Sequence, residues 1–368
     1  MSLALYRKYR PRTFGELVGQ EDTLEILKNA AKQGRFAHAY LFYGSRGTGK
    51  TTTARLIAKL LNCEKRNADP KFREKGEPCN ACRSCREIDA NNSLDVIEID
   101  AASNRGIEEI RNLKENLRSA PTANQYKVYI IDEVHMLTGP AFNALLKTLE
   151  EPPAHVVFVL ATTEYEKLPA TITSRAQRFL FKKLSKAVII AKLKSIAQAE
   201  KIEIDSAALE LVAAAGEGSL RDAESLLDQI SSVGHAIDLE TAERLTGRIG
   251  FKKVEELAEI ILRKDLPGAL FQISAASDEG HNLVQLTRDL IHYLRRVLSL
   301  KLNPTLEEVF QTDLTTDQVE RLKKLAPLMP PELGVKLLKS LIRAYTEMRY
   351  SPFAMIPLEI ALVENLEN

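Results

Sequence analysis

Eight consecutive residues in the N-terminal part of the chain have the types and spacing of a loop that binds phosphate. They are Gly44-Ser45-Arg46-Gly47-Thr48-Gly49-Lys50-Thr51. The glycines let the backbone turn so that successive N–H groups point at phosphate oxygens, and the helix predicted to follow adds the positive end of its dipole. Lys50 would then reach the β- and γ-phosphates of a nucleotide, and the Thr51 hydroxyl would bind Mg²⁺. We therefore predict a nucleotide-binding segment from Gly44 through Thr52.

Two carboxylates, Asp132 and Glu133, directly follow an apolar run further along the chain. A strand that ends in a carboxylate is the usual partner of a phosphate-binding loop. Asp132 is therefore predicted to hold the Mg²⁺ shell, and Glu133 to orient and deprotonate an attacking water. The next apolar run, residues 155–160, leads to Thr163, whose hydroxyl is placed to contact the γ-phosphate or that water. The alternative is a buried strand with a solvated acidic end, which the loop upstream makes less favoured.

All four cysteines of the chain lie in one short segment: Cys63 is followed, after fifteen residues, by Cys79, Cys82 and Cys85. This clustering favours a metal site in a reducing compartment over a disulfide framework, and four unconnected thiols would not predict it. The two CxxC steps bring three sulfurs around one ion, and the loop 64–78 lets Cys63 complete a tetrahedron. Because four thiolates leave no open coordination position, we predict a structural zinc ion.

Several basic residues are candidates for contacts with anions. Arg221 follows the predicted capping residue Ser219 at the start of a helix, where its side chain is free to reach an anion. Arg105 lies in the turn after a predicted strand and Arg111 in the next helix; they could face phosphate, and ordinary surface charges are the alternative. The segment 6–12 alternates basic and aromatic residues. A nucleic-acid arm, a solvated leader and a flap over the adenine of a nucleotide all remain open for it.

The elements that must position these residues follow from the periodicity of the apolar residues. Apolar runs at 39–43, 94–100, 127–131 and 155–160 indicate strands, and the segments between them have helical spacing. This alternation predicts a parallel sheet with helices on both faces. From Lys183 onward the pattern changes to amphipathic helices without a catalytic motif. It predicts a small helical domain and then an all-helical packing or oligomerisation domain.

Composition limits the functional classes that the chain can belong to. Its 368 residues, 45% of them hydrophobic, predict two or three domains. The 51 basic and 50 acidic residues nearly cancel, so a polyanionic partner would have to be met by a local patch of charge. The N-terminal residues do not form a signal peptide, and no apolar run reaches the length of a membrane span. We therefore expect a soluble, cytoplasmic protein.

Together these segments resemble the gamma/tau family of bacterial DNA polymerase III clamp-loader subunits, within the AAA+ ATPases. The resemblance covers essentially the whole chain. It is most specific in the phosphate loop, the cysteine set and the stretches 131–137, 143–153 and 218–223. The fold that it implies is α/β, with a parallel-sheet P-loop ATPase domain that carries an inserted cysteine module, then a helical lid and an all-α collar for oligomerisation. The implied bounds are 1–180 with the module at 63–85, 181–245 and 246–368.

The resemblance also implies roles for single residues. Asp132 and Glu133 would be the acidic pair, Thr163 the first sensor and Arg221 the second sensor. Arg175 would be an arginine finger, which we expect to act in the site of a neighbouring subunit. The family's Ser-Arg-Cys signature reads Ser-Arg-Ala here and keeps the arginine.

The family implies ATP, Mg²⁺ and structural Zn²⁺ as cofactors. It also implies a pentameric hetero-oligomer with delta, delta-prime and further gamma/tau copies, which opens the beta sliding clamp and closes it on primer-template DNA. Asn104, Arg105 and Arg111 resemble the turn and helix that follow the DNA backbone. A module that binds ATP without hydrolysis is less favoured, since Lys50 and Glu133 are both present. A helicase-like enzyme would need a strand-separation element, for which the sequence offers no candidate.

Overall fold

The computed structural model of the chain divides into two compact units. The first comprises Met1–Leu184 with Gly218–Asp222, and the second comprises Ser185–Glu217 with Ala223–Asn368. The residues that the structure describes are 3–104, 106–117, 119–233, 236–247, 249–310, 314 and 316–366. Arg105, and the side chain of Arg111, therefore lie outside the described part of the chain. The predicted three-domain division stays a prediction.

The first unit is built on five parallel strands in the order β2–β3–β4–β1–β5. Helices cover both faces of the sheet, so its central strands are mostly apolar, and every residue of β4 is buried. The predicted parallel α/β arrangement is confirmed. The strands are β1 (Ala39–Gly44), β2 (Val96–Asp100), β3 (Lys127–Asp132), β4 (Val156–Thr162) and β5 (Gln177–Phe181).

Strand β5 is not among the four strands that the sequence predicts. It pairs only with β1, at one edge of the sheet, and its burial pattern shows that one of its faces is open to solvent. Phe179 and Phe181 are buried, whereas Arg178 and Leu180 are exposed. Its apolar run, Phe179-Leu180-Phe181, is shorter than the runs of the central strands. This short run is the sequence signal that could have indicated the strand, but it is too short to distinguish a strand from other elements.

The helices of the first unit connect these strands. Helix α2 ends at Gly34, whose φ of 68° closes the helix in the left-handed conformation, as the glycine predicts. The predicted loop at 64–78 is wrong in part, because two short helices, α4 and α5, lie within it. The helices are α1 (Leu5–Lys8), α2 (Glu21–Gln33), α3 (Lys50–Asn62), α4 (Glu64–Ala68), α5 (Pro70–Arg73), α6 (Arg83–Asp89), α7 (Ile107–Leu117), α8 (Gly139–Glu150) and α9 (Ala170–Thr173).

The described residues of the second unit form helices and no strand, as the change of pattern at Lys183 predicts. Its largest apolar cluster includes Leu290 and Leu294 of α16 and Leu337 and Leu341 of α19. No helix in the described part of the chain could cross a membrane. The remaining helices are α10 (Lys186–Glu200), α11 (Ser206–Ala215), α12 (Leu220–Ser231), α13 (Leu239–Thr246), α14 (Phe251–Leu262), α15 (Leu266–Asp278), α16 (Leu283–Leu302), α17 (Leu306–Phe310), α18 (Thr316–Leu325), α19 (Pro331–Met348) and α20 (Met355–Leu366).

Candidate functional site

The predicted phosphate loop joins the end of β1 to the start of α3. Gly44 and Gly47 have φ values of 133° and 70°, which side chains disfavour. A Cβ on Gly44 would lie 2.1 Å from the carbonyl oxygen of Phe181, and one on Gly47 would lie 1.8 Å from the Ser219 hydroxyl oxygen. Neither position can hold a larger residue without displacing its neighbour. The glycines therefore allow the loop both its turns and its close approach to adjacent segments.

Lys50 is buried at the start of α3, with its side chain inside the loop. Its Nζ donates hydrogen bonds to the carbonyl oxygens of Gly44 (2.8 Å) and Ser45 (2.7 Å). Burial lowers the pKa of Lys50, and the negative charges of Glu133 and Asp132 partly offset this effect. The ammonium group is thus held by the carbonyl oxygens of the loop, where the charges of the carboxylates at the end of β3 act on it.

Thr51 and Asp132 come together although they lie far apart in the sequence. The Thr51 hydroxyl donates a hydrogen bond of 2.7 Å to Oδ2 of Asp132. The parallel sheet explains this contact, because β1 and β3 both pair with β4 and end at the same edge of the sheet. A hydroxyl and a carboxylate oxygen are ligands that Mg²⁺ prefers, so the pair fits a divalent cation.

Glu133 has an unusual backbone conformation for a residue with a side chain. Its φ of 47° and ψ of 46° are in the left-handed region, which few non-glycine residues adopt. Oε2 of Glu133 accepts hydrogen bonds from the backbone N–H (3.1 Å) and the hydroxyl (2.8 Å) of Thr163. Strained residues that the surroundings hold in place are common at functional sites. The structure therefore joins Glu133, after β3, to Thr163, after β4, two residues that the sequence analysis selected separately.

His135 is a further residue of this site, and the sequence analysis did not select it. The buried imidazole has Nδ1 at 2.9 Å from Oγ1 of Thr162 and 3.3 Å from Oε2 of Glu133, and Nε2 at 3.2 Å from Oε1 of Glu164. These contacts link the end of β3 to the end of β4. His135 lies within the stretch 131–137, which carries part of the family resemblance, but its spacing from Glu133 predicts no contact by itself.

The segment Gly218–Asp222, which belongs to the first unit, adds Arg221 to the surroundings of the loop. The backbone N–H of Leu220 donates to the carbonyl oxygen of Gly47 over 3.2 Å. The Ser219 hydroxyl accepts a hydrogen bond of 3.2 Å from the N–H of Asp222, which confirms the predicted cap. The sequence predicted that Arg221 would begin this helix, and the structure places it there beside the loop.

Tyr6 of the N-terminal segment lies against Arg221. The guanidinium carbon of Arg221 is 5.1 Å from the centroid of the Tyr6 ring, a distance that allows a cation–π interaction. A hydrogen bond with Arg7 is the largest of the effects that lower the pKa of Tyr6, and the charge of Arg221 lowers it further. This position is compatible with a flap near the nucleotide, and that interpretation stays a prediction.

Arg175 and Asn104 lie away from these contacts. Arg175 forms an ion pair of 2.5 Å with Glu150 and donates a hydrogen bond of 2.7 Å to the carbonyl oxygen of Thr171. Within the described residues, none of its hydrogen bonds or ion pairs reaches the phosphate loop. Asn104 is exposed in the turn after β2, and its amide donates to the carbonyl oxygen of Asp100 over 3.1 Å.

The four cysteines form a second candidate site. Their sulfur atoms all lie within 4.8 Å of one another. Sulfurs around a tetrahedral zinc ion are about 3.8 Å apart, given Zn–S bonds of about 2.3 Å, so the donor set fits zinc. Backbone N–H groups bond the sulfurs, as from Cys82 to Cys79 (3.2 Å) and from Cys79 to Cys63 (3.4 Å).

The electrostatics of the cluster favour metal binding. The pKa of Cys63 is lowered to about 5. A hydrogen bond with the Cys85 thiol has the largest effect, and hydrogen bonds from backbone N–H groups add to it. The same pairing raises the pKa of Cys85. The cluster therefore already stabilises a thiolate, which is the form that binds a metal ion.

A parallel sheet with a phosphate loop after β1 and paired carboxylates at the end of β3, combined with a helical second unit, is the arrangement of the AAA+ class of P-loop proteins. Comparison with known families agrees. Residues 19–185 match the model described as DNA polymerase III, delta subunit. Residues 188–236 match the clamp loader subunit ATPase lid domain of DNA polymerase III, and residues 237–366 match domain III of its gamma and tau subunits. The chain belongs to the gamma/tau family of DNA polymerase III clamp-loader subunits.

Individual relatives support this assignment. The chain is 42% identical to the DNA polymerase III subunit tau of Bacillus subtilis over 98% of its own length and 62% of that protein. It is 39% identical to subunit tau of Escherichia coli, over 98% of its own length and 55% of that protein. It is 34% identical to subunit gamma of Buchnera aphidicola, over 98% of its own length and 95% of that protein. The chain thus spans little more than half of the tau subunits that it matches.

Proposed function

We propose that this chain is an ATP-hydrolysing subunit of a bacterial clamp loader. The observation that carries the proposal is the convergence of Lys50, Thr51, Asp132, Glu133 and Thr163 at one edge of the parallel sheet. This set contains a phosphate-binding cation, oxygen ligands for a metal ion and a carboxylate positioned for proton transfer. Membership of the gamma/tau family supports the assignment to clamp loading.

The loop and the end of β3 would bind the nucleotide. Backbone N–H groups of residues 44–52 would contact the phosphates of ATP, and Lys50 would neutralise charge on the β- and γ-phosphates. Thr51 and Asp132 would hold Mg²⁺, which supplies positive charge to the phosphate oxygens when bound. Lys50 would have to exchange its present carbonyl acceptors for phosphate oxygens when the nucleotide enters.

Glu133 would act as the general base that removes a proton from the attacking water. Thr163 and His135 both contact Oε2 of Glu133. They would fix the orientation of the carboxylate and leave Oε1 as the acceptor for the proton. Thr163 would also serve as the first sensor, since a change in its contact with Glu133 would report the state of the γ-phosphate.

Two arginines would complete the site. Arg221 would reach the phosphates as the second sensor, from its position beside the loop. Arg175 would act in the site of a neighbouring subunit and leave its ion pair with Glu150 to do so. A planar guanidinium supplied across an interface stabilises charge on the γ-phosphoryl group only when two subunits are correctly apposed. Hydrolysis would thereby depend on assembly.

The assembly would be a cytoplasmic pentamer with delta, delta-prime and further gamma/tau copies. It would open the beta sliding clamp and close it on primer-template DNA. Asn104, Arg105 and Arg111 would follow the DNA backbone; the exposure of Asn104 after β2 is compatible with this role. Zinc on the four cysteines would be structural, since the ligand set leaves no coordination position for a substrate.

A reconstituted loader tests the proposal. ATP hydrolysis is measured with the clamp alone, with primed DNA alone, and with both. We expect the rate to rise strongly only when both are present. A complex that binds ATP and never hydrolyses it would instead be a binding module. A rate that responds to DNA without the clamp would argue for a helicase-like enzyme and against clamp loading.

A further inference from the structure

Arg66 is a buried arginine beside the cysteine cluster. Its residue is 3% exposed, and its guanidinium stays protonated in proteins. Nη1 donates to the carbonyl oxygen of Leu60 (3.1 Å) and to the side-chain oxygen of Asn67 (3.3 Å), and Nη2 donates to the carbonyl oxygen of Ala31. All three acceptors are neutral. They accept three hydrogen bonds from Nη1 and Nη2 and supply no opposite charge.

No carboxylate in the described part of the chain forms an ion pair with this guanidinium, and its buried Nε has no hydrogen-bond partner there. Lys59 is also a deeply buried cation, but it has a counterion, because its Nζ lies 2.8 Å from Oδ1 of Asp89. A buried charge is unfavourable unless an opposite charge accompanies it. Burial lowers the pKa of Arg66, and the charge of Arg73 lowers it further. The charge of Cys63 has the largest effect in the opposite direction.

Arg66 lies one turn after Cys63, in helix α4, and its backbone N–H stabilises the Cys63 thiolate. Four thiolates around one divalent ion carry a net charge of about −2. The segment 64–84 has six basic and four acidic residues, which give the opposite net charge, +2. Arg66 is the buried member of this basic set.

We infer that Arg66 is the internal counterion of the metal-bound cysteine cluster. This inference rests on the proposed zinc site. The guanidinium also bonds the carbonyl oxygens of Ala31 in α2 and Leu60 in α3, so it links the charge of the cluster to two helices of the ATPase unit. Metal binding thereby stabilises the contacts of the inserted segment with those helices.

The inference predicts a larger effect on the metal-bound protein than on the metal-free protein. With the metal bound, a neutral residue at position 66 removes a favourable charge interaction. Without the metal, the cluster carries less negative charge, because metal binding releases protons from cysteine thiols, so the same substitution removes a weaker charge interaction. A residue that contributes only packing would instead destabilise both forms alike.

The test compares three variants of the full chain with the wild type. Arg66→Met removes the charge and keeps an unbranched side chain, whereas Arg66→Lys keeps the charge and loses the planar donors. Lys71→Met removes an exposed charge from the same segment and serves as the control. Affinity for Zn²⁺ is measured by competition with a chromophoric chelator, and affinity for Co²⁺ by its thiolate charge-transfer absorption. Urea unfolding is followed with and without metal.

We expect Arg66→Met to bind metal about tenfold to a hundredfold more weakly than the wild type, the range typical of residues that support metal ligands. Lys71→Met should stay near the wild type and Arg66→Lys should lie between the two. Without metal, Arg66→Met should lose less stability against urea, relative to the wild type, than it loses with metal bound.

Three results would overturn the inference. Wild-type metal affinity in Arg66→Met would show that the charge is not coupled to the cluster. Equal losses of affinity in Arg66→Met and Arg66→Lys would assign the effect to hydrogen bonds. Equal destabilisation of both forms by Arg66→Met would make the residue a packing element. A wild-type chain that binds no metal would refute the zinc site itself, a failure that elemental analysis separates from the other three.

Discussion

The proposed nucleotide site and the cysteine cluster lie in the same unit of the molecule but are assembled differently. The ligands of the cluster come from one segment, 63–85. The nucleotide site draws on the phosphate loop, the ends of β3 and β4, and the segment Gly218–Asp222. A local site depends on the spacing of its residues, whereas a distributed site depends on the register of a sheet.

The two sites also differ in what their residues can do. The cluster can surround one ion completely and leaves no position for a reactant. At the nucleotide site, Lys50 is bonded to carbonyl oxygens and Thr51 to Asp132, and both sets of contacts would rearrange around a ligand. We therefore predict that disruption of the nucleotide site changes catalysis, whereas disruption of the cysteine cluster changes stability.

The largest expected effect is that of Lys50→Ala. We expect ATP hydrolysis to fall to background and ATP binding to weaken, because no nearby cation replaces the lysine on the β/γ-phosphates. Zinc content should not change, which separates the two sites. ATPase assays of the assembled loader and elemental analysis measure these outcomes, with Lys182→Ala, an exposed lysine, as the control. Near-normal turnover would contradict the assignment of a hydrolytic site.

Arg175→Ala should reduce hydrolysis by roughly three orders of magnitude or more at each interface that lacks the arginine. The test mixes Arg175→Ala subunits, which keep Lys50, with Lys50→Ala subunits, which keep Arg175. Activity should arise only at interfaces that combine an intact lysine site with an intact arginine. An unchanged rate for Arg175→Ala would leave Arg175 as the surface partner of Glu150 and would remove the dependence on assembly.

Glu133→Gln should bind ATP but hydrolyse it about a hundredfold or more slowly, since removal of a general base typically costs that much. The amide keeps the shape of the side chain and loses its basicity. A nucleotide-binding assay beside the ATPase assay distinguishes this variant from Lys50→Ala, which should lose both. Weak binding by Glu133→Gln would indicate that the carboxylate contributes to the structure of the site.

Removal of zinc should have the smallest effect on phosphate chemistry. We expect one tightly held ion per chain, and chelation should destabilise the segment 64–78 before it changes nucleotide affinity. Hydrogen exchange of this segment and a parallel ATP-binding assay measure the two effects. A protein purified without chelators that contains negligible zinc would show that the cysteines serve another purpose. Loss of ATP binding at the same chelator concentration would show that the sites are coupled.

The sequence determined those features whose physical basis is local. The glycines and Lys50 specify the phosphate loop because backbone turns and a charged side chain act over a few residues. The spacing of the cysteines specifies the cluster for the same reason. The apolar runs predicted β1 to β4, since a buried parallel strand must be apolar on both faces. By contrast, β5 has an apolar run of only three residues, 179–181, which is too short to identify a strand.

Only the tertiary structure decided which distant residues meet. The register of β1, β3 and β4 brings Thr51 to Asp132 and Thr163 to Glu133, and it places His135 between two carboxylates. Arg66 likewise looks like an ordinary surface arginine in the sequence, and the structure buries it with its guanidinium bonded to carbonyl oxygens of α2 and α3. Periodicity reports which face of an element is buried. It carries no information on the partner that lies across that face, because this depends on strand order and helix packing between distant segments.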